Sequence, residues 1–416
     1  MGAKDMADSR LSKIQRGTRT YTAAIIALFL GSMVAFGAEY CVQPIIPVFT
    51  EAFELTPATA SLAVSFGTGG MACAMLLIAS FARKIERKRM MVIALLGASL
   101  LAIIMAVSQS FGLILVLRLC QGMLLAGFPV MAVAYINEEF DSAILGAVVG
   151  IYISGTSIGG LVGRMLLSFL TDLFTWRAAL ASLGVLYAVI GVAFLLLLPK
   201  AKREAEPNAK AAGWHEFVRL LSNARLVGVF AIGLCIMGAF VCTYNFISYV
   251  LLAPPYSLSQ TAIGFVFLLY FIGTVSSAVM GRLSDRIGNG PVICISILCM
   301  MAGNFISLAA PFAVKILGIG LLTYGFFGGH SAACSWAGRL DAGDKARISA
   351  MYMFFYYVGA SVIGTLGGHF LSGWGWNGIV GFLTAVLLAA LLISLVLMRM
   401  EKRRMSALQI ESEKAM

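Results

Sequence analysis

The stretch Gly281-Arg282-Leu283-Ser284-Asp285-Arg286-Ile287-Gly288 decides the fold, because it is a charged turn between two long apolar runs. A helix needs about 20 apolar residues to cross the hydrocarbon core of a bilayer, and each of these runs is long enough. A similar arrangement occurs 202 positions earlier, at 79–86, where a charged turn again joins two apolar runs. The sequence therefore predicts a chain built from two similar halves.

Composition places this chain in a membrane. Its 416 residues are 60% hydrophobic and 12% charged, and the mean hydropathy is +0.93. Backbone amides cannot be left unpaired in lipid, so the apolar runs must cross as helices. We predict an all-α membrane protein with twelve spans. These are 21–46, 57–82, 89–108, 112–135, 143–168, 177–199, 224–253, 260–282, 290–310, 313–336, 347–371 and 376–399.

The placement of basic residues predicts the orientation. On this span map 26 of the 30 lysines and arginines fall on the side that holds both termini. The positive-inside rule assigns that side to the cytoplasm. The predicted parts are a basic tail at 1–20, a six-helix bundle at 21–199, a cytoplasmic linker at 200–223, a second six-helix bundle at 224–400, and a tail at 401–416.

Three short motifs resemble one family. The turn at 281–288 has the form Gly-x-Leu-x-Asp-Arg-x-Gly, and 118–122 has the form Arg-x-x-Gln-Gly. Both resemble motifs of the major facilitator superfamily of secondary transporters. The run Tyr40-Cys41-Val42-Gln43-Pro44-Ile45-Ile46-Pro47 resembles the YnfM-like group of bacterial inner-membrane transport proteins. The resemblance implies two pseudo-symmetric bundles, alternating access, and proton-coupled export of a drug or sugar-like solute across the bacterial inner membrane.

The first copy of the turn departs from the family pattern. Arg83 stands where an acidic residue is expected, and Glu86 stands where the second glycine is expected. A pairing of opposite polarity is the natural replacement. It would join Arg83 or Arg87 to an acid of the next cytoplasmic loop, which contains Glu138, Glu139 and Asp141.

The fifth predicted span leaves the direction of transport open. Gly155, Gly159 and Gly163 form a stripe of small residues for close helix contact. The stretch resembles the antiporter pattern Gly-Pro-x-x-Gly-Gly, but Thr156 replaces the proline. Proton-coupled uptake by a symporter on the same fold is therefore the alternative to export.

The candidate proton-coupling residues are Glu39 and Arg118. Glu39 is the one carboxylate deep inside a predicted span. Burial disfavours its charged form, as a proton carrier requires. An intramembrane arginine must face the bundle or water, and in related proton-driven members the arginine of this motif is implicated in coupling. A fixed ion pair of Glu39 with Arg118 or Arg164 is the competing interpretation, and Asp172 is a second candidate partner of Arg164.

Further candidates are polar or small residues of the spans and turns. Gln43 and Asn245 are 202 residues apart, so the two halves are expected to place amides at equivalent points. His330 is either a packing residue or part of the site. The predicted substrate cavity contains Tyr40, Gln43, Gln121, Tyr152, Tyr244, Asn245, His330 and Tyr356. The predicted conformational gating residues are Arg83, Gly281, Asp285, Arg286, Gly288, Gly155 and Gly159.

A membrane-embedded enzyme is the hypothesis from another class. The sequence lacks a Gly-x-x-x-x-Gly-Lys-Ser/Thr loop and a His-Glu-x-x-His motif. We therefore expect no catalytic residues, no cofactor and no metal ion. The expected partners are a small-molecule substrate, protons and the lipid bilayer, with no nucleic acid, and the expected state is a monomer.

Overall fold

The computed structural model describes residues 13–81, 84–201, 214–340 and 345–415. Every regular element of at least seven residues in this part of the chain is a helix. The α-helices are α1 (Arg19–Tyr40), α2 (Ile46–Ala52), α3 (Pro57–Phe81), α4 (Arg87–Val107), α5 (Phe111–Leu125), α6 (Gly127–Glu139), α7 (Leu145–Leu173), α8 (Trp176–Leu197), α9 (Trp214–Leu221), α10 (Ala224–Leu252), α11 (Gln260–Val266), α12 (Tyr270–Ile287), α13 (Asn289–Ile306), α14 (Phe312–Leu340) and α15 (Lys345–Ala415).

Eleven helical segments of the described residues are long and apolar enough to cross a membrane. The last of them, Arg347–Arg403, is 57 residues long. Its helix α15 is broken at Gly375, where φ is +59° and ψ is −150°. A left-handed φ is readily adopted by glycine, which has no side chain to clash with the backbone. The break divides α15 into two arms, so the predicted twelve-span fold is confirmed.

The backbone contacts divide the chain into two compact units. Unit 1 contains residues up to Phe53, Phe66–Ala212 and Leu258–Phe267. Unit 2 contains Glu54–Ser65, Gly213–Ser257 and the chain from Leu268 onward. Each unit therefore includes a short segment from the other half of the sequence.

In unit 1 the stripe of small residues on α7 lies directly against α1. A Cβ atom on Gly155 would be 2.6 Å from the carbonyl oxygen of Phe29. One on Gly163 would be 2.9 Å from the Cα of Gly37. Because these positions carry no side chain, the two helix backbones approach closely.

In unit 2 the first turns of α3 pack against the first arm of α15. The Ser65 and Thr365 hydroxyls are 2.5 Å apart, and Ser361 donates to the Ser65 carbonyl oxygen at 2.7 Å. Gly368 allows this approach, because a Cβ there would be 2.8 Å from the Cβ of Ala58.

The motif turn at 281–288 ends α12 and begins α13. Gly288 adopts φ +89°, a conformation that favours glycine and explains why the motif ends on that residue. The carboxylate of Asp285 lies 3.9 Å from the guanidinium of Arg339, and both side chains are largely exposed. An exposed pair at this distance contributes little to stability.

The equivalent turn of unit 1 uses a pair of opposite polarity. Arg87 donates to both carboxylate oxygens of Glu138, from Nε at 3.1 Å and from Nη2 at 2.9 Å. This is one of the pairings that the sequence left open. Arg83 lies outside the described residues.

Candidate functional site

Glu39 lies in the last turn of α1 and is fully buried. Pro44 and Pro47 follow within two turns, and the chain bends there through a 3-10 turn at Gln43–Ile45. Neither carboxylate oxygen of Glu39 has a hydrogen-bond partner among the described residues. An unpartnered buried carboxyl group costs free energy that a packing residue would not, so its presence points to a function.

Arg118 of α5 lies beside Glu39 without forming a close ion pair with it. Its Nη2 is 3.9 Å from the nearer carboxylate oxygen. The guanidinium donates instead to the carbonyl oxygen of Ala38 at 3.1 Å, to the carbonyl oxygen of Glu39, and to Oε1 of Gln121. Gln121 in turn donates to the Ala98 carbonyl oxygen at 2.8 Å. The arginine is therefore held by neutral acceptors, whatever the charge on the Glu39 carboxyl group.

Gly67 of α3 leaves room for this pair. A Cβ atom at this position would overlap Nη2 of Arg118 and would be 2.8 Å from Oε1 of Glu39. Gly122 of α5 faces the backbone of Gly67, with its own Cβ position 2.8 Å from the Gly67 carbonyl carbon. The two glycines allow α3 and α5 to cross in direct contact beside Arg118 and Glu39.

We predict that Gly67→Ala slows transport while Gly67→Val abolishes it, because the added methyl groups displace Arg118 or Glu39. Overpacking of a filled site costs about 1–3 kcal/mol. About 1.4 kcal/mol of this cost, if it is added to the transport barrier, lowers the rate about tenfold. The measurement is the initial transport rate per amount of membrane-inserted protein. Gly150→Ala is the matched control, since a Cβ at Gly150 meets no atom within 4 Å. Equal effects of the two alanine substitutions would contradict the prediction.

Arg164 of α7 is bound to the bend that follows α1. Its Nε donates to Oε1 of Gln43 at 2.9 Å, and its Nη1 donates to the Gly160 carbonyl oxygen at 2.6 Å. The guanidinium carbon lies 4.8 Å from the ring centre of Tyr40 and 5.0 Å from that of Phe267. Aromatic rings stabilise a cation at such distances.

The expected pairing of Arg164 with Asp172 is wrong. Oδ2 of Asp172 accepts hydrogen bonds from the hydroxyl of Thr261 at 2.6 Å and from its amide at 3.2 Å. Gln260 donates to the Pro44 carbonyl oxygen at 2.9 Å. Asp172 thus fixes the start of α11 to the end of α7, and a carboxylate near a helix N-terminus is favourable.

Unit 2 repeats the amide contact of unit 1 at the equivalent position. Asn245 of α10 donates from Nδ2 to the Gly364 carbonyl oxygen in the first arm of α15, at 3.2 Å. In unit 1 the amide of Gln43 contacts Arg164. In each half the amide therefore joins the first span of that half to its fifth span.

The remaining predicted residues of unit 2 lie in an aromatic cluster. His330 shares a hydrogen bond of 3.0 Å between Nδ1 and the hydroxyl of Tyr352. Its ring centre is 4.8 Å from that of Tyr356 and 5.9 Å from that of Phe326. Tyr244 is fully buried, and its hydroxyl is 2.8 Å from that of Thr323.

The structure thus brings together some of the predicted residues and separates others. Glu39, Tyr40, Gln43, Arg118 and Gln121 form one buried group in unit 1, whereas Tyr152 is buried elsewhere on α7. The predicted gating residues of the 281–288 turn lie at the far end of α12 within unit 2.

Sequence reasoning missed two residues of these groups, Gly67 and Tyr352. Ala63 and Gly67 of α3 are small residues four positions apart, which is a signal for close helix contact that pattern reading can find. No pattern identifies Tyr352 as the partner of His330, because the two residues belong to different helices.

Comparisons with known proteins agree with the fold. The family model described as Major Facilitator Superfamily matches residues 28–256 and 229–414. The MFS-type transporter YybF of Bacillus subtilis is 39% identical over 94% of this chain and 97% of its own length. The inner membrane transport protein YnfM of Escherichia coli is 36% identical over 91% of each chain.

Solved structures share the fold. A bacterial homologue of the human lysosomal transporter Spinster, in an inward-facing conformation, has a TM-score of 0.72 at 14% identity. The match covers 92% of this chain and 96% of that one. The nucleoside transporter NupG has a TM-score of 0.69 at 14% identity and covers 92% of this chain and 100% of its own.

The chain belongs to the Major Facilitator Superfamily. It is a multi-pass membrane transporter of small solutes, like the relatives that it resembles.

Proposed function

We propose that this transporter exports a small organic solute across the bacterial inner membrane in exchange for protons, with Glu39 as the proton carrier and Arg118 as its coupling partner. One observation carries the proposal: a fully buried carboxyl group with both oxygens unpartnered among the described residues and an arginine 3.9 Å away. A proton carrier has to bind and release a proton inside the membrane while the protein around it stays folded.

The geometry supports a proton carrier over a fixed ion pair. A fixed pair forms charge-assisted hydrogen bonds of about 2.7–2.9 Å, commonly through two parallel contacts. Arg118 makes its short contacts with carbonyl oxygens and with Gln121 instead. Protonation of Glu39 therefore leaves these contacts intact, while deprotonation adds an attraction across 3.9 Å.

Within unit 1 we assign substrate contacts to Tyr40, Gln43 and Gln121. Within unit 2 we assign substrate contacts to Tyr244, Asn245, His330 and Tyr356. Tyr152 stays a candidate on α7. Aromatic and amide side chains dominate this set. Such a lining suits a neutral or weakly polar organic solute, which binds by ring stacking and a few hydrogen bonds.

Export is supported by one relative. The chloramphenicol resistance protein CraA of Acinetobacter baumannii is 22% identical over 69% of this chain and 70% of its own length. Thr156 at the proline position of the antiporter pattern favours uptake, so proton-coupled symport is the second candidate.

A two-step experiment distinguishes proton-coupled export from proton-coupled symport. We expect overproduction of the protein to raise resistance to chloramphenicol or to another member of a drug and sugar-analogue panel. Purified protein in liposomes containing a pH-sensitive dye then gives the coupling. In the export model, the active compound moves opposite to protons; movement of both in the same direction would support symport. Movement of the compound without any proton flux would refute both.

The predicted orientation is tested with alkaline phosphatase fusions, which are active only outside the cytoplasm. We expect a fusion at residue 210 to be inactive and one at residue 55 to be active, because 26 of 30 basic residues then face the cytoplasm. Fusion at residue 311, in the predicted outer region between the spans 290–310 and 313–336, is a second positive control. The reverse pattern would overturn the orientation of every span.

A further inference from the structure

A cavity of about 440 Å³ lies within unit 2, where the start of α13 meets the ends of α14 and α15. Trp336, which is 3% exposed, and Met398 form part of its wall. Gly290 lets the start of α13 pack directly against Met398, because a Cβ there would be 2.6 Å from Cγ of Met398. Cavities of about 300–1,000 Å³ are large enough for small organic groups.

One wall of the cavity supplies hydrogen-bond donors. Helix α13 begins at Asn289, and its N-cap residue Gly288 has no side chain that could cap the first amides. Asn289 is 7% exposed, and its Oδ1 accepts from the Ser284 hydroxyl at 2.6 Å. Its Nδ2 makes no hydrogen bond with the described residues. The side chain therefore presents an unused donor beside a helix N-terminus, where anions are favoured.

The opposite wall supplies positive charge. Arg339 from the end of α14 and Lys402 from α15 both line the cavity, together with one carboxylate, Glu401. A second carboxylate, that of Asp285, lies 3.9 Å from Arg339 but does not line the cavity. Arginine binds phosphate oxygens through paired donors, and lysine binds them as a point charge. The donors of the two walls together suit an anion with several oxygens.

The cavity is also at the end of three membrane spans, where lipid headgroups lie. Ile287, which is 45% exposed, and Leu340 give its rim an apolar edge. Basic pockets between spans are a known mode of headgroup binding. We propose that this cavity binds the phosphate group of an anionic phospholipid such as phosphatidylglycerol, with the helix α13 N-terminus, Asn289, Arg339 and Lys402 as its ligands.

The test uses the purified full-length protein in detergent. Native mass spectrometry counts bound phosphatidylglycerol and phosphatidylcholine at equal concentrations. We expect one phosphatidylglycerol to be retained with at least about tenfold preference, since two cations act on its headgroup. Arg339→Gln/Lys402→Gln should remove that preference. Arg282→Gln/Lys345→Gln is the matched control, because it removes the same charge from exposed positions that do not line the cavity.

Two further variants test whether the lipid binds in the cavity or is attracted by the charge of the surface in general. Leu340→Trp fills the space without changing charge and should displace the bound lipid. Glu401→Gln removes the one carboxylate and should strengthen retention. Equal losses in the two double variants, or normal retention in Leu340→Trp, would overturn the proposal.

Inorganic phosphate distinguishes the source of the phosphate group. Partial competition at millimolar concentration, with phosphatidylglycerol still preferred over phosphatidylcholine, supports the lipid. Competition by phosphate without any preference between the two lipids would overturn the lipid as the ligand.

Discussion

Glu39→Gln is expected to abolish gradient-driven transport while leaving the exchange of substrate for substrate. Glutamine keeps the size and polarity of the side chain, but it cannot release a proton. A positioned proton-transfer group contributes about 100-fold or more to a rate, so we expect the proton-driven rate to fall by that factor. The measurement is proton-driven flux and substrate exchange in the same proteoliposome preparation, once the solute is known.

The yield of folded protein distinguishes the competing roles of Glu39. A fixed ion pair loses folded protein when the carboxylate is removed, because Arg118 then keeps an uncompensated buried charge. A proton carrier keeps its yield. Glu51→Gln, at an exposed residue of α2, is the matched control and should change neither flux nor yield. Normal yield together with normal proton-driven flux in Glu39→Gln would contradict both roles.

Arg118→Ala is expected to abolish transport, and Arg118→Lys to retain part of it. Alanine removes the donor that serves the Ala38 carbonyl oxygen and Gln121, and it leaves the Glu39 carboxyl group without a nearby cation. Removing one partner of a buried pair costs about 3–5 kcal/mol. Lysine retains the charge but loses the planar arrangement of donors.

The control for Arg118 is the double variant Glu39→Gln/Arg118→Ala. If the two side chains interact, the double variant regains folded protein relative to Arg118→Ala alone, without regaining proton-driven flux. Arg219→Ala, at an exposed position, is the control that shows how the loss of one arginine alone changes yield and transport. Proton-driven transport by Arg118→Ala at the normal rate would show that this arginine is structural.

The sequence predicted the fold because the signals for a membrane fold are strong and local. Apolar runs of about 20 residues fix the spans, and the 281–288 motif points to the family, which the comparisons confirm. The prediction that Glu39 and Arg118 act together rested on burial and a motif, and the structure places them 3.9 Å apart.

Other features depend on which helices meet, and periodicity cannot supply that information. Asp172 is a candidate partner of Arg164 in the sequence because it follows two turns later, whereas the contact residue Gln43 is 121 residues away. The exchange of Glu54–Ser65 and Leu258–Phe267 between the two units is equally invisible in the hydropathy pattern. The cluster around His330 requires α14 and α15 to be placed side by side.

The break at Gly375 has a mechanical consequence for the last two spans. They are joined through one glycine rather than through a loop, and the neighbouring Trp376 donates to the Ser307 hydroxyl at 3.0 Å. A long flexible connection would let the two spans turn independently. Here a change in the angle between the two spans is concentrated in the torsion angles at Gly375, and the Trp376 hydrogen bond holds the start of the second arm to the end of α13.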